Sequence, residues 1–221
     1  MLTVPLTIIL LYGYTFVFLN ILYNYYIENN FQGDVLYMER KNLRVNTKTL
    51  SIVQVALMIA ITTLVTMTVR VPTYAGYTHL GDSMIFLSVI LLGKRKAVVS
   101  SAIGMCLADI LGGYLVWAPF TLIIKGSMAL IAALIVYRGT NKGNNVVNNI
   151  VAFVAAGIWM VFAYYIAGAF VTSFLLSENV TFAQGLVVSL KDIPANIVEV
   201  LVGIVLAVPL SKMIKKSNYK F

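Results

Sequence analysis

Long apolar segments separated by short basic ones limit what this chain can fold into more than any other feature. Of its 221 residues, 60% are hydrophobic and only 11% are charged, whereas soluble domains are roughly half apolar and about a quarter charged. A membrane-spanning helix needs about 20 apolar residues, and the segments lack the alternation of barrel strands. The sequence therefore predicts an all-α polytopic membrane protein that forms one helical bundle.

Six core helices are predicted after Thr49, and a loop at 70–81 joins the first two. The predicted helices cover residues 50–69, 82–93, 96–112, 117–138, 147–176 and 184–211. The second is short for a membrane span, so we expect it to be tilted or extended by the preceding loop.

Residues 1–37 form an extra N-terminal segment outside this pattern. Residues 1–27 are apolar, and no Lys or Arg precedes Arg40, so the basic start of a signal peptide is missing. Two interpretations are open. The segment is either an additional spanning helix with its N-terminus outside, or it lies upstream of a native start at Met38. The six-helix domain is predicted over residues 38–221.

Basic residues set the predicted orientation, because loops on the cytoplasmic side carry an excess of Lys and Arg. All but three of the 16 basic residues fall on one side if the helices alternate. That side, which includes the C-terminus, is predicted to be cytoplasmic in a bacterial cell membrane. The net charge of +8 does not indicate nucleic-acid binding, since the basic residues lie at helix ends rather than on one soluble face.

Four ionisable residues lie at or inside apolar segments between Gly76 and Gly126, and such residues usually mark a site or a path. They are His79, Asp82, Asp109 and Lys125. Asp82 either caps the second helix or belongs to a site. Asp109 and Lys125 lie at similar depth near the outer ends of their helices. They either form an ion pair with each other or contact a ligand.

One face of the last helix is polar. Asp192, Asn196, Glu199 and Gly203 recur at helical spacing, so this face must point into the bundle. Pro194 marks the start of this helix or a kink in it.

Aromatic residues occupy the outer loops, at Tyr74, Tyr77, Tyr114 and Trp117. They form either an interfacial belt or a stacking surface for a flat ligand. Together with the polar groups they predict an outward-facing, half-buried pocket for a small polar molecule.

Catalytic and cofactor motifs are missing from the sequence. It has no phosphate-binding loop, no H-E-x-x-H pair and no nucleophile elbow, and His79 is its only histidine. We therefore expect no enzyme activity, no cofactor and no metal site. Any energy source must be another protein or an ion gradient.

Small residues recur every fourth position on three helices. They are Ser100, Gly104, Ala108 and Gly112 on the third, Ala56 and Ala60 on the first, and Ala163 and Ala167 on the fifth. Such stripes let helices approach closely. Each stripe packs within the chain or docks against another membrane subunit.

Several short motifs together resemble the S components of energy-coupling factor (ECF) vitamin transporters, in the group for riboflavin, pyridoxine and hydroxymethylpyrimidine. They are LGD at 80–82, LAD at 107–109, GGY at 112–114, WAP at 117–119 and IKG at 124–126. The resemblance covers residues 50–211. It implies a subunit that binds a vitamin outside, docks on a transmembrane coupling subunit driven by two ATPases, and topples to release its substrate inside.

The resemblance also assigns roles to particular residues. Ala56 and Ala60 match the family's docking patch on the first helix, and residues 70–81 correspond to the loop that closes over the ligand. Ligand contacts are predicted for Tyr74, Tyr77, His79, Asp82, Asp109, Tyr114, Trp117, Lys125, Asn196 and Glu199.

The predicted ligand is an aromatic heterocycle with hydroxyl groups, because the predicted contacts are aromatic and charged side chains. Pyridoxine or hydroxymethylpyrimidine is favoured, and riboflavin comes next. The alternative function is a stand-alone proton-coupled secondary carrier of a small heterocycle, with Asp109 or Glu199 as its proton site.

Overall fold

The computed structural model of the protein describes residues 47–72, 77–139, 143–176 and 180–216. Its helices are α1 (Thr47–Thr68), α2 (Gly81–Leu92), α3 (Lys94–Leu111), α4 (Ala118–Val136), α5 (Val146–Phe170), α6 (Phe182–Ser189) and α7 (Ile193–Lys216). A π-helical turn, Val171–Leu176, extends α5, and a 3₁₀ turn, Leu190–Asp192, joins α6 to α7. The predicted N-terminal segment 1–37, the Met38 start and Tyr74 lie outside the described residues.

Among the described residues, four helical segments are long and apolar enough to cross a membrane. They are Thr47–Thr68, Ala118–Val136, Val146–Leu175 and Phe182–Lys216, and Gly81–Leu92 is a shorter apolar helix. The prediction of an all-α polytopic membrane protein is therefore confirmed.

The last predicted helix, 184–211, is divided near its start into α6 and α7. Pro194 is the second residue of α7 and has no N–H to donate to the carbonyl four residues earlier. The chain therefore passes through the 3₁₀ turn before α7 begins, which agrees with the prediction that Pro194 marks a start or a kink.

The predicted loop at 70–81 contains a two-stranded antiparallel hairpin of β1 (Arg70–Pro72) and β2 (Tyr77–His79). Arg70 pairs with His79, and Pro72 pairs with Tyr77. Side chains two residues apart on a strand share a face, so Tyr77 and His79 point the same way. The hairpin thereby presents an aromatic ring and an imidazole to the helices.

Helix α2 is the centre of the bundle despite its 12 residues. Ile85, Phe86 and Val89 are fully buried, and the Phe86 ring stacks on Phe153 of α5 at 4.3 Å between centroids. A helix that is apolar all round is expected where protein surrounds it. Its short length is therefore accommodated by neighbouring helices rather than by lipid.

The small-residue stripe of α3 packs within the chain at Gly104. A Cβ at that position would lie 3.0 Å from the Cβ of Thr62 and 3.1 Å from the carbonyl oxygen of Ile59. The Thr63 hydroxyl also donates to the Gly104 carbonyl at 2.8 Å. Ala56 and Ala60, in contrast, lie on an exposed face of α1.

Candidate functional site

A cavity lies where β2 meets the ends of α3, α4, α5, α6 and α7, at the end of the bundle opposite the basic turn Lys94–Lys96. Its volume is about 60 Å³, which is room for a few water molecules. The lining residues are Tyr77, His79, Asp109, Tyr114, Trp117, Thr121, Lys125, Tyr164, Gly168, Ser189, Asp192, Asn196 and Glu199. The cavity thus brings together every described residue for which we predicted ligand contact, except Asp82.

Lys125 forms the floor of the cavity as part of a buried ion network. Its Nζ lies 2.5 Å from Oδ1 of Asp82 and 2.6 Å from Oε1 of Glu199. The side chains of all three residues are at most 3% exposed. A single ammonium group therefore ties together α2, α4 and α7 in a region of low dielectric.

The structure excludes one of the two alternatives left open for each of these charges. Lys125 pairs with Asp82 and Glu199 rather than with Asp109, because α2 and α7 place their carboxylates against α4. Asp82 is not the cap of α2 either. That helix begins at Gly81, its cap residue is Leu80 with no side-chain cap bond, and Asp82 instead accepts a hydrogen bond from Lys125.

Asp109 belongs to a separate corner of the cavity with the aromatic residues. The Tyr77 hydroxyl donates to its Oδ1 at 2.5 Å, and the Tyr114 ring centroid lies 4.6 Å from that of Tyr77. On the other side, the Tyr164 hydroxyl donates to Oγ1 of Thr121 at 3.1 Å. The aromatic side chains therefore face the cavity and carry hydroxyl groups at its wall.

His79 is a neutral imidazole in this arrangement. The Gly81 N–H donates to its Nδ1 at 3.2 Å, which requires a lone pair on that nitrogen. Burial and the nearby Lys125 ammonium lower the pKa of His79 to about 3. The 3.3 Å approach of Nδ1 to Glu199 Oε1 is therefore a contact of polar groups and not an ion pair.

The same cluster has the composition of a metal site but holds its own cation. Ligand atoms of His79, Asp82 and Glu199 lie within 4.8 Å of one another. The Lys125 ammonium already sits against both carboxylates, in the place that a divalent cation would take. The arrangement therefore favours an ion network over a metal centre.

Three oxygen atoms of the cavity wall have no hydrogen-bond partner among the described residues. They are Oδ2 of Asp109, Oγ of Ser189 and Oδ1 of Asp192, and all three are buried. Because the cavity has room for water, water or a ligand donor can bond to each of these acceptors. The cavity is therefore prepared to accept hydrogen bonds from a donor-rich molecule.

Sequence reasoning missed Thr121, Tyr164, Gly168 and Ser189 as lining residues. These residues are uncharged and occur in apolar segments, so they carry no distinct signal. Asp192 did have one, because it shares the polar face of the last helix with Asn196 and Glu199.

Comparison with known proteins identifies the family. A family model described as "ECF-type riboflavin transporter, S component" matches residues 46–216. The chain belongs to this family. The predicted resemblance to ECF S components is thereby confirmed, and the protein is a membrane subunit of a transporter family rather than a member of an enzyme class.

Two relatives illustrate this similarity. The thiamine precursor transporter HmpT of Lactococcus lactis subsp. cremoris (strain MG1363) is 29% identical over 152 residues, which cover 68% of this chain and 78% of the relative. An uncharacterised protein of Pyrococcus woesei is 38% identical over 104 residues, which cover 46% of this chain and 67% of the relative.

We expect the protein's single histidine to stay neutral from about pH 8 to about pH 5, the range in which an ordinary histidine titrates. NMR of protein carrying isotope-labelled histidine should show constant ring signals across this range. In the unfolded chain this histidine titrates at about pH 6.5. Its contribution to the free energy of unfolding therefore falls as the pH drops below that value. A folded-state midpoint near the ordinary value would contradict this prediction.

Replacement of Lys125 by methionine should lower the free energy of unfolding by about 3–5 kcal/mol, because two buried carboxylates lose their cation. Thermal unfolding in detergent measures the change. Lys94→Met is the matched control, since Lys94 is exposed at the start of α3 and its loss should have little effect. Equal destabilisation by the two substitutions would show that the network does not hold the helices.

Proposed function

We propose that the protein is the substrate-binding S component of an ECF transporter for a small, donor-rich aromatic heterocycle. Hydroxymethylpyrimidine is the first candidate, pyridoxine the second and riboflavin the third. The observation that carries this proposal is the set of unpaired acceptors on Asp109, Ser189 and Asp192 in an aromatic cavity. Similarity to a thiamine precursor transporter favours the pyrimidine over pyridoxine.

The acceptors suit the amino and hydroxymethyl groups of such a ligand. A hydrogen bond to a charged group contributes about 1.5–3 kcal/mol, so two carboxylate oxygens and a serine oxygen provide much of the affinity and the orientation. Both carboxylates stand at the wall rather than in the ion network, so they are free to accept from a ligand.

The aromatic rings support stacking on a flat heterocycle. Tyr77, Tyr114, Trp117 and Tyr164 all line the cavity, where a ring can lie against a ligand's face. An aromatic belt at the membrane interface would not require these rings to line one cavity. We therefore assign the aromatic residues to ligand contact.

Charge argues for an unphosphorylated ligand. Around the cavity, the carboxylates of Asp82, Asp109, Asp192 and Glu199 outnumber the cations of Lys125 and Arg70. A phosphate group would meet uncompensated negative charge in a low dielectric. The free alcohol forms of these vitamins and precursors avoid that repulsion.

Size orders the candidates in the same way. A volume of about 60 Å³ is far below the roughly 300 Å³ or more of ordinary ligand sites, so the walls must part to admit any of these molecules. A one-ring compound requires less movement than the three-ring system of riboflavin. Size therefore places riboflavin last, as in the order proposed above.

Delivery would follow docking on a transmembrane coupling subunit that two ATPases drive. Ala56 and Ala60 are exposed on α1 and offer a surface without bulky side chains for a partner helix. Lys94–Lys96 and the lysines near the end of α7 lie at the end opposite the cavity. By the positive-inside rule, the cavity then faces outward and the C-terminus lies in the cytoplasm of a bacterial cell.

Tryptophan fluorescence tests the ligand site directly. The chain has two tryptophans. Trp117 lines the cavity, whereas Trp159 donates to Ser127 and is exposed on α5. Hydroxymethylpyrimidine should quench the tryptophan emission of the unsubstituted protein and of Trp159→Phe until the site is saturated. The emission of Trp117→Phe should not change when the compound is added.

Phosphorylated hydroxymethylpyrimidine is the negative control, and pyridoxine and riboflavin test the ranking. Isothermal titration calorimetry gives an independent affinity for each compound. If no candidate produces saturable binding by either method, the proposed site is wrong.

Ala56→Trp should spare ligand binding and abolish uptake, because an indole on the docking face keeps a partner helix away. Uptake of labelled ligand into cells and fluorescence binding on purified protein measure the two effects. Leu57→Trp is the control, since Leu57 is also exposed but points about 100° around the helix. Loss of binding in Ala56→Trp would mean that this face packs within the bundle.

Uptake that persists without the ATPases and stops with an uncoupler would instead indicate the proton-coupled carrier.

A further inference from the structure

Arg70 joins three elements at the mouth of the cavity without lining it. Its Nε donates to the Thr66 carbonyl of α1 at 3.3 Å, and its Nη2 donates to the Ala108 carbonyl of α3 at 2.8 Å. Its guanidinium carbon lies 4.5 Å from the centre of the Tyr77 ring on β2. One side chain therefore contacts two helix ends and the hairpin.

Arg70 places a positive charge at the C-terminal ends of α1 and α3. The carbonyls of Thr66 and Ala108 lie in the last turns of α1 and α3, where the helix dipole is negative. Neither helix has a basic residue in its own last turn. Arginine is suited to this position because its planar group can donate in two directions while it stacks on a ring.

Gly112 provides the space in which the guanidinium lies. A Cβ at Gly112 would be 2.2 Å from Nη1 of Arg70 and 2.6 Å from Nη2. The φ of Gly112 is −82°, a value that any residue can adopt. Glycine is therefore required here by the lack of space for a side chain and not by the backbone conformation. The last member of the α3 stripe thus accommodates an arginine.

The ring held by Arg70 is itself part of the cavity wall. Tyr77 lines the cavity and donates to Asp109, which lines it from α3. Arg70 also pairs through its backbone with His79 across the hairpin. Separation of the hairpin wall from α3 therefore has to break the contacts of Arg70.

We propose that Arg70 is a positioning residue that fastens the hairpin to the ends of α1 and α3 and so controls how often the cavity opens. Because a cavity of about 60 Å³ is far below the roughly 300 Å³ or more of ordinary ligand sites, this opening precedes binding and release. Arg70 also connects the cavity wall to α1, the helix that carries Ala56 and Ala60. The inference rests on the proposed function for the ligand, but opening itself can be measured without one.

Thiol labelling measures opening of the cavity directly. The chain has one cysteine, Cys106, so its replacement leaves an introduced thiol as the only one that reacts. The full-length protein carrying Cys106→Ala and Thr121→Cys is placed in nanodiscs and reacted with a water-soluble maleimide. Thr121 lines the cavity and is 3% exposed, so its rate of reaction follows the population of the open state. Adding Arg70→Ala should raise the rate about tenfold, as expected for loss of a charge-assisted hydrogen bond.

Further variants separate fastening from general destabilisation. Gly112→Ala leaves Arg70 in the chain but fills its space, so it should raise the labelling rate as well. Arg70→Lys should not restore slow labelling, because an ammonium cannot bond two carbonyls and stack at once. Arg138→Ala, at an exposed site near the other end of α4, should have no effect.

A second reporter distinguishes local opening from unfolding. Ala132→Cys places the thiol in the buried core of α4 and should stay unlabelled in every variant. Faster labelling at Thr121→Cys alone supports the proposal, whereas equal acceleration at both positions overturns it. Labelling that is unchanged in Arg70→Ala and Gly112→Ala also overturns it. If Arg70→Ala does not fold, the Gly112→Ala rate decides.

Ligand protection tests the proposed function separately. Hydroxymethylpyrimidine, pyridoxine and riboflavin are each added to the Thr121→Cys protein with Arg70 intact. Slower labelling with at least one of them supports the ligand site. If none slows labelling and none binds the unsubstituted protein in calorimetry, the proposed function is wrong, and the ligand-free rates still decide the role of Arg70.

Discussion

The Lys125 ammonium between Asp82 and Glu199 is the interaction on which the half of the bundle around the cavity depends. Burial of three ionisable groups is costly, and their mutual attraction offsets that cost only at close contact. The distances of 2.5 and 2.6 Å meet this condition. Helices α2, α4 and α7 are thereby fixed relative to one another, and the floor of the cavity is fixed with them.

Glycines allow the elements around this network to approach each other. A Cβ at Gly203 of α7 would lie 3.1 Å from the Cβ of Asp82, and Glu199 lies one turn earlier on the same face. At Gly81, a Cβ would lie 2.2 Å from Oγ1 of Thr66 at the end of α1. These close approaches bring the carboxylates and the hairpin to one end of the bundle.

Polar contacts hold the buried face of α1. Its buried side chains are Met58 and three threonines. The Thr63 hydroxyl bonds to the Gly104 carbonyl, and the Thr66 hydroxyl bonds to the Thr62 carbonyl and to the sulfur of Met105. Arg70 donates to the Thr66 carbonyl in the last turn. Its opposite faces are exposed and apolar. In the proposed transport cycle, the helix that meets the coupling subunit is thus tied by polar contacts to the wall of the cavity.

The sequence by itself determined the helical membrane architecture, helix limits close to those observed, the family and most of the polar residues around the cavity. Long apolar runs and ionisable groups within them carry strong signals. The strands of the hairpin are three residues each, too short to show alternation. Thr121, Tyr164 and Ser189 are uncharged, so nothing in the sequence distinguishes them from core residues.

Only the tertiary structure decided the partner of Lys125. Spacing along a helix fixes how deep a residue lies, but Asp82, Asp109 and Glu199 all lie near the same end of the bundle. The choice among them follows from which helices pack against α4 and which way each turns its polar face.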